Sequence, residues 1–428
     1  MLKKLYSQSN FMKSVFVLIT GTVLAQGIGI VIMPFLTRIY EPEALGELNI
    51  YMRLVGLVSG VATARFEISL PLPKYEGHSF LLYKLSLRIA MFSLMAMGVV
   101  GALYYLIKPV SVYNISFLTI SIASTFFIVY INLGTNWSIR NKAFKAISRQ
   151  KIVNAVVSNG LRYGFGYLSF GSLGLLFATL IGYMVSSLWY IRDFVRLKKG
   201  TYKNYSKKKN KVLVKEYREF PLVNLPHVAV DLGRELLIAV LVTYYFGIEI
   251  FGLYSVSVMI LRMPLTIIGT SIGQVFYGEI SEMVNQGKSV HPILKKTILT
   301  LLMLSIVPFS LIYFFGEPIF EFVLGSSYSE SGFYSEIMAV WLMTLFLIAP
   351  TSSLPLVLKR QKEFFFIGTF ASITQVLIFF IFPVMWGGTA ATFETMLWVL
   401  SISQAIILLG VISLALYYSK KRIKNASV

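Results

Sequence analysis

Positive charge punctuates this chain at regular intervals. It carries 39 Lys and Arg residues, and all but Arg38, Arg53, Arg65, Lys108, Arg162, Arg234 and Arg262 fall in seven short stretches separated by long apolar runs. The stretches are the N-terminus (Lys3, Lys4, Lys13) and residues 74–88, 140–151, 192–218, 288–296, 359–362 and 420–424. The intervening turns, around Glu41, Tyr113, Ser169 and Gly247 and at 316–331 and 385–390, hold only Arg38 and Lys108. Loops retained on the cytoplasmic side of a membrane carry this excess of Lys and Arg. The pattern therefore predicts both termini in the cytoplasm and six turns outside.

Composition excludes the soluble alternatives. Only 14% of the residues are charged and 56% are apolar, where a soluble domain is about a quarter charged. The formal net charge of +20 would suggest nucleic acid in a soluble chain, but here it lies beside apolar spans, where anionic lipid headgroups match it. No nucleic-acid partner is expected. Cysteine is absent, so disulfides, thiolate catalysis and iron–sulfur ligation are ruled out, and the 3 His residues are scattered. No metal and no cofactor is expected. The first apolar stretch is too long for a cleaved leader and reads as a span.

A helix crosses the bilayer with roughly 20 apolar residues, and the charge punctuation predicts twelve such spans: 11–39, 43–70, 84–107, 114–139, 150–168, 172–197, 219–246, 249–279, 292–315, 330–356, 363–384 and 391–418. The longest break, 198–218, contains Lys207, Lys208 and Lys209 in a row. It divides the chain into an N-terminal six-helix lobe (1–197), a basic cytoplasmic linker (198–218) and a C-terminal six-helix lobe (219–428). The two halves also match locally. Tyr40, Glu43, Leu45 and Gly46 correspond to Phe246, Glu249, Phe251 and Gly252 at one constant offset, which supports a duplicated unit of the kind common in secondary transporters.

The polar residues left inside the spans are few and deep. At about 1.5 Å per residue, Arg53 lies about 15 Å from the outer end of its span, Arg234 and Glu235 about 17–18 Å and Arg262 about 20 Å. All four share the middle of a core roughly 30 Å thick, and Asp231 sits one turn deeper than Glu235 on the same face. A charge facing lipid there costs at least about 2.5–3.5 kcal/mol. Two arrangements remove that cost: structural ion pairs in which Arg234 or Arg262 neutralises Asp231 and Glu235, or a basic water-filled cavity that receives an anion. Arg53 has no acid nearby in its own span, which favours the cavity.

Asn154, Ser158 and Arg162 form a polar stripe at i, i+4 and i+8 in span 5, and Asn132, Asn136 and Arg140 form another in span 4. Such stripes line cavities or bond neighbouring helices. Pro34, Pro264, Pro308, Pro350 and Pro355 fall within apolar segments, where kinks are expected. At the inner end of span 2, Arg65 and Glu67 are two residues apart. On a helix they point to nearly opposite sides and cannot pair with each other, so each is expected to meet other helices near an inner gate.

The run Arg65-Phe66-Glu67 through Leu70-Pro71, followed by Leu72-Pro73-Lys74, resembles the end of the second span in Wzx-type polysaccharide flippases of the multidrug/oligosaccharidyl-lipid/polysaccharide exporter (MOP) superfamily. The likeness extends to Phe35-Leu36-Thr37-Arg38-Ile39-Tyr40 with Pro42 and Gly46. It continues in Glu219-Phe220-Pro221, in Phe246-Gly247 with Gly252 and Pro264, and in Ile272-Gly273-Gln274-Val275-Phe276. The resemblance implies an all-α integral membrane fold of the MATE/MurJ kind: 12 transmembrane helices in two six-helix lobes around a central cavity lined by spans 1, 2, 7 and 8.

It further implies a flippase, not an enzyme, that moves polyprenyl (undecaprenyl)-pyrophosphate-linked oligosaccharide across the bacterial cytoplasmic (inner) membrane by alternating access, for O-antigen or related lipopolysaccharide assembly. Membrane lipids and other polysaccharide assembly proteins would be its neighbours, and it would act as a monomer. By position, Arg53, Arg234, Arg262 and Arg162 would hold the pyrophosphate through paired hydrogen bonds. Asp231 and Glu235 would serve coupling or cavity ion pairs, and Arg65 and Glu67 the inner gate. Span 1 departs from related lipid flippases, offering Gln26 where they often carry basic residues.

Two other classes compete. A small-molecule or multidrug cation antiporter of the same superfamily requires an acidic cavity, whereas Arg outnumbers acid at this midplane. A membrane polysaccharide polymerase or glycosyltransferase requires a sizeable outer loop with catalytic residues. The longest here, 316–331, offers Glu317, Glu321 and Glu330.

Overall fold

The computed structural model describes residues 2–107, 112–199, 208–265, 270–348, 354–358 and 360–420. It is helical, with no strand among the described residues. The helices are α1 (Leu2–Thr37), α2 (Pro42–Val61), α3 (Glu76–Ile107), α4 (Val112–Arg140), α5 (Phe144–Tyr167), α6 (Gly171–Lys199), α7 (Lys208–Glu216), α8 (Leu225–Phe246), α9 (Ile248–Pro264), α10 (Thr270–Asn285), α11 (His291–Leu324), α12 (Ser329–Ile348), the single turn α13 (Leu354–Val357), α14 (Gln361–Trp386) and α15 (Ala390–Lys420). Pro350, Lys207 and Lys359 lie outside the described residues.

Eight of these helices, α1, α3, α4, α6, α11, α12, α14 and α15, are long and apolar enough to cross a membrane. The expected spans outside that group coincide with α2, α5, α8 and the pair α9 and α10. The reason is local. α2 carries Glu43, Glu47 and Arg53 and α8 carries Asp231, Arg234 and Glu235, while α5 starts with Lys145, Arg149 and Lys151, and α9 has only 17 residues. The helices that bear the intramembrane charge are thus the ones whose hydropathy is diluted by it.

Three boundaries differ from the sequence expectation. Span 2 does not run as a helix to residue 70: α2 ends at Val61, and Ala64 and Arg65 take left-handed backbone angles before a 3-10 turn at Phe66–Ser69. The outer segment 316–331 is largely helical. α11 continues to Leu324 after a break at Phe315 (φ −139°, ψ 24°). Pro318 then sits in the first turn beyond the break, where its missing N–H costs nothing, and the Glu317 N–H donates to Glu336 Oε1 at 2.9 Å. The linker also contains α7, whose Leu213 is buried beside Phe66, Phe80 and Phe194.

By compactness the chain forms two units, residues 1–40 with 47–236 and residues 41–46 with 237–428. Between helices in lipid there is little hydrophobic drive, because the tails are as apolar as leucine. Close packing and hydrogen bonds do the holding instead. In the first unit Gly134 lies against the Tyr190 ring and Gly182 against Ser158, so any Cβ would clash. Tyr83 stacks on Phe194 at 4.8 Å, with Trp137 and Tyr130 edge-on and Phe80 tilted against them.

In the second unit Gly316 and Gly332 bring α11 onto α12. The Ser257 hydroxyl donates to the Ser331 carbonyl at 2.6 Å, and Gln375 donates to Gln404 at 3.0 Å. The first turns of α2 and α9 also meet there. A Cβ on Gly252 would strike the Pro42 carbonyl, and one on Gly46 the Ile248 carbonyl. These are the two glycines that correspond between the halves of the sequence.

Candidate functional site

Glu235 is the hub of a charged cluster in the first unit. Arg53, midway along α2, donates from Nη1 to Glu235 Oε2 at 2.5 Å and to the Glu235 carbonyl at 2.9 Å. Arg234 reaches the other carboxylate oxygen at 3.3 Å and Asp231 Oδ1 at 3.1 Å. The two guanidiniums and Glu235 are mostly buried, while Asp231 is 59% exposed. Two cations therefore face two carboxylates, and the cluster is neutral when all four are ionised. The view of Arg53 as a cation without an acid is thereby corrected: its partner comes from α8, which no intrahelical spacing reveals.

Arg65 and Glu67 also require correction, since they pair with each other at 3.2 Å. The helical argument against that pair fails because α2 has already ended, and the left-handed conformation of Arg65 turns its side chain back onto the following 3-10 turn. Glu67 is 2% exposed and also accepts from Thr63 Oγ1. The turn is tied down from several directions. Ser93 donates to the Ala62 carbonyl at 3.1 Å and Ser79 to the Leu70 carbonyl at 2.6 Å. Arg140 spreads Nη1 over the carbonyls of Leu70, Pro71 and Pro73. The span 4 stripe thus ends in a loop clamp, while Asn136 bonds its own helix at the Asn132 carbonyl.

Arg162 stands apart from the α2–α8 cluster. Its Nη1 donates to Asn159 Oδ1 at 3.2 Å, and Nη2 and Nε reach Thr179 Oγ1 of α6 at 2.9 and 3.3 Å. The Thr179 hydroxyl gives its own proton to the Leu175 carbonyl, which leaves its lone pairs for the guanidinium. Among the described residues no carboxylate lies within ion-pair distance of Arg162. All of its polar neighbours among the described residues are neutral, so a full positive charge is held inside the helix bundle with no counter-ion among those residues.

The sequence reading found Asn154 and Ser158 on this stripe but missed Asn159 and Thr179, the residues that hold Arg162. Thr179 and Tyr183, at i and i+4 on α6, were the readable signal. Arg262 lies half-buried in the last turn of α9, in the second unit. No group of three or more His, Cys, Asp or Glu among the described residues could hold a metal.

A multi-pass, all-helical membrane protein with arginine-rich polar clusters inside its spans has counterparts among the MOP transporters. The lipid II flippase MurJ in its inward closed conformation matches with a TM-score of 0.65 at 16% identity, over 96% of this chain and 87% of that one. An inward-facing multidrug resistance MATE family transporter of the MOP superfamily gives 0.63 at 14% identity, over 94% and 96%. A MOP superfamily transporter from Pyrococcus furiosus, described as having a binding pocket of reversed polarity, gives 0.56 at 14% identity over 96% of both chains. At such identities the likeness establishes the fold, that of the 12-helix MATE and MurJ transporters.

The chain belongs to the polysaccharide biosynthesis protein family, whose model matches residues 35–332. That match bears out the Wzx-type resemblance. No curated protein shows significant sequence similarity to the chain.

Proposed function

We propose that the protein is a flippase that carries polyprenyl-pyrophosphate-linked oligosaccharide repeat units across the bacterial inner membrane by alternating access, for O-antigen or a related surface polysaccharide. The observation that carries this reading is the polysaccharide biosynthesis match over residues 35–332 in a chain with the fold of a lipid flippase. The charge inside the spans fits the same substrate. Asp231 and Glu235 are both engaged by arginine, which disfavours a drug-cation antiporter, since such a carrier needs a carboxylate to answer its substrate.

In this proposal Arg162, Arg53, Arg234 and Arg262 supply the contacts to the pyrophosphate. Arg162 takes a fixed share, because a phosphate oxygen provides the anion that the described residues around it do not. Arg53 and Arg234 take theirs by exchanging Glu235 and Asp231 for phosphate oxygens, and the Arg65–Glu67 pair belongs to the inner gate. The linker at 198–218 and both termini face the cytoplasm, and the two six-helix lobes work as a monomer alongside membrane lipids and other polysaccharide assembly proteins.

Deletion of the gene followed by lipid extraction tests the reading. Accumulation of a polyprenyl-linked oligosaccharide in the cytoplasmic leaflet, relieved by the wild-type chain and not by Arg162→Leu present at equal level, is the expected result. A deletion strain with unchanged lipid-linked sugars and unchanged surface polysaccharide would overturn it.

A further inference from the structure

A groove of about 640 Å³ runs between α10 and the first turns of α11 in the second unit. Its α10 wall is apolar at Ile272 and Phe276 and charged at Glu279, and on its α11 wall Lys296 and Thr297 lie about one turn further in than Pro292 and Ile293. At about 1.5 Å per residue, Lys296 lies about 8 Å into α11 from His291 and Glu279 about 9 Å from the end of α10 at Asn285. The two opposite charges therefore sit at one level, close to the turn that joins the helices. Phe276 and Ile272 are about one and two turns further in. On the α10 wall this is the profile of a lipid site: charged at headgroup depth and apolar beneath.

The charges themselves define the headgroup. Among the described residues neither Glu279 nor Lys296 has an ion-pair or hydrogen-bond partner, and they do not pair with each other. A pyrophosphate would gain one lysine and meet the repulsion of Glu279. A phospholipid with a net negative headgroup would leave Glu279 unanswered in the same way. A zwitterion satisfies both walls, with its phosphate on Lys296 in a charge-assisted bond and its cationic nitrogen on Glu279. A primary ammonium donates N–H bonds to a carboxylate and to the Thr297 hydroxyl, which a quaternary nitrogen cannot do.

We propose that the α10–α11 groove seats one phospholipid with a primary-ammonium zwitterionic headgroup, its phosphate on Lys296, its ammonium on Glu279 and an acyl chain over Phe276 and Ile272. The site is separate from the pyrophosphate contacts and stands whether or not the transported substrate is the one named above.

Native mass spectrometry tests it on the purified full-length chain, exchanged against phosphatidylethanolamine, phosphatidylcholine and phosphatidylglycerol of identical chains in equal amounts. One phosphatidylethanolamine should be retained over the other two by about tenfold, the effect of a single charge-assisted bond. Glu279→Gln should erase the preference over phosphatidylcholine, and Lys296→Gln should lower retention of all three. A photo-crosslinking residue at position 293, in a chain with both charges intact, should capture phosphatidylethanolamine from mixed nanodiscs. Equal retention of the three lipids would overturn the proposal. So would a preference unaffected by Glu279→Gln, or loss of the crosslink when polyprenyl diphosphate is present during irradiation.

Discussion

Arg53→Met is the most informative single change in this protein. It removes two hydrogen bonds at once, to the Glu235 carboxylate at 2.5 Å and to its carbonyl at 2.9 Å. Breaking a fully buried ion pair from one side costs about 3–5 kcal/mol, most of it the penalty of the charge left behind. Glu235 is not fully stranded, since Arg234 remains at 3.3 Å and the carboxylate side chain is 27% exposed. The ion-pair part therefore falls to about half, roughly 2 kcal/mol, and the lost carbonyl bond adds about 1 kcal/mol. Arg53→Met should thus destabilise by about 3 kcal/mol.

The double variant Arg53→Met/Glu235→Gln removes the stranded charge as well and should recover about 1–2 kcal/mol of that loss, the coupling expected for residues in direct contact. Equilibrium unfolding in mixed micelles, followed by circular dichroism, provides the four corners of the cycle. The reasoning fails if Arg53→Met lies within about 0.5 kcal/mol of wild type, or if the two single effects add to give the double within that error.

Gly252→Ala should destabilise by about 1–3 kcal/mol, because its Cβ must displace the Pro42 carbonyl backbone, whereas Gly27→Ala, with open space around it, should be neutral or stabilising in the same assay. For topology, a cysteine introduced at position 211 of the linker should resist an impermeant maleimide in intact cells and react after permeabilisation; labelling from outside would reverse the orientation and the direction of transport.

The spans and their order were legible because apolar length and charge punctuation are properties of the chain alone. What the sequence did not show is how the polar residues meet. Arg53 and Glu235 are separated by 182 positions, and helix periodicity places each on a face without saying which face it opposes. The end of α2 was hidden for a different reason. Between Val61 and Leu70 there is no Gly or Pro to mark a break, and Ala64 and Arg65 are residues that rarely take a positive φ. Bonds within the turn, and tertiary bonds from α3 and α4 to the residues flanking it, hold the segment there.

The helical stretch after Phe315 was obscured by Gly316 and Pro318, which read as a loop but serve a helix start once Glu336 caps it. Of the site, Arg162 was found by its stripe, while Thr179 and Asn159 were passed over because neutral hydroxyl and amide residues are common in spans.

The grip of Arg140 on the carbonyls of Leu70, Pro71 and Pro73 has a bearing on how the chain is made. The residues it joins are about seventy positions apart, so during synthesis the Leu-Pro-Leu-Pro segment emerges well before its clamp exists. At that stage the Arg65–Glu67 turn lacks its outer restraint, and the third and fourth helices must both be in place before it closes. By the charge punctuation of the sequence, the same arginine belongs to a cluster expected to keep its loop in the cytoplasm. On that expectation one side chain would link two steps of biogenesis: the choice of which way the fourth helix enters the bilayer, and the locking of a turn laid down two helices earlier.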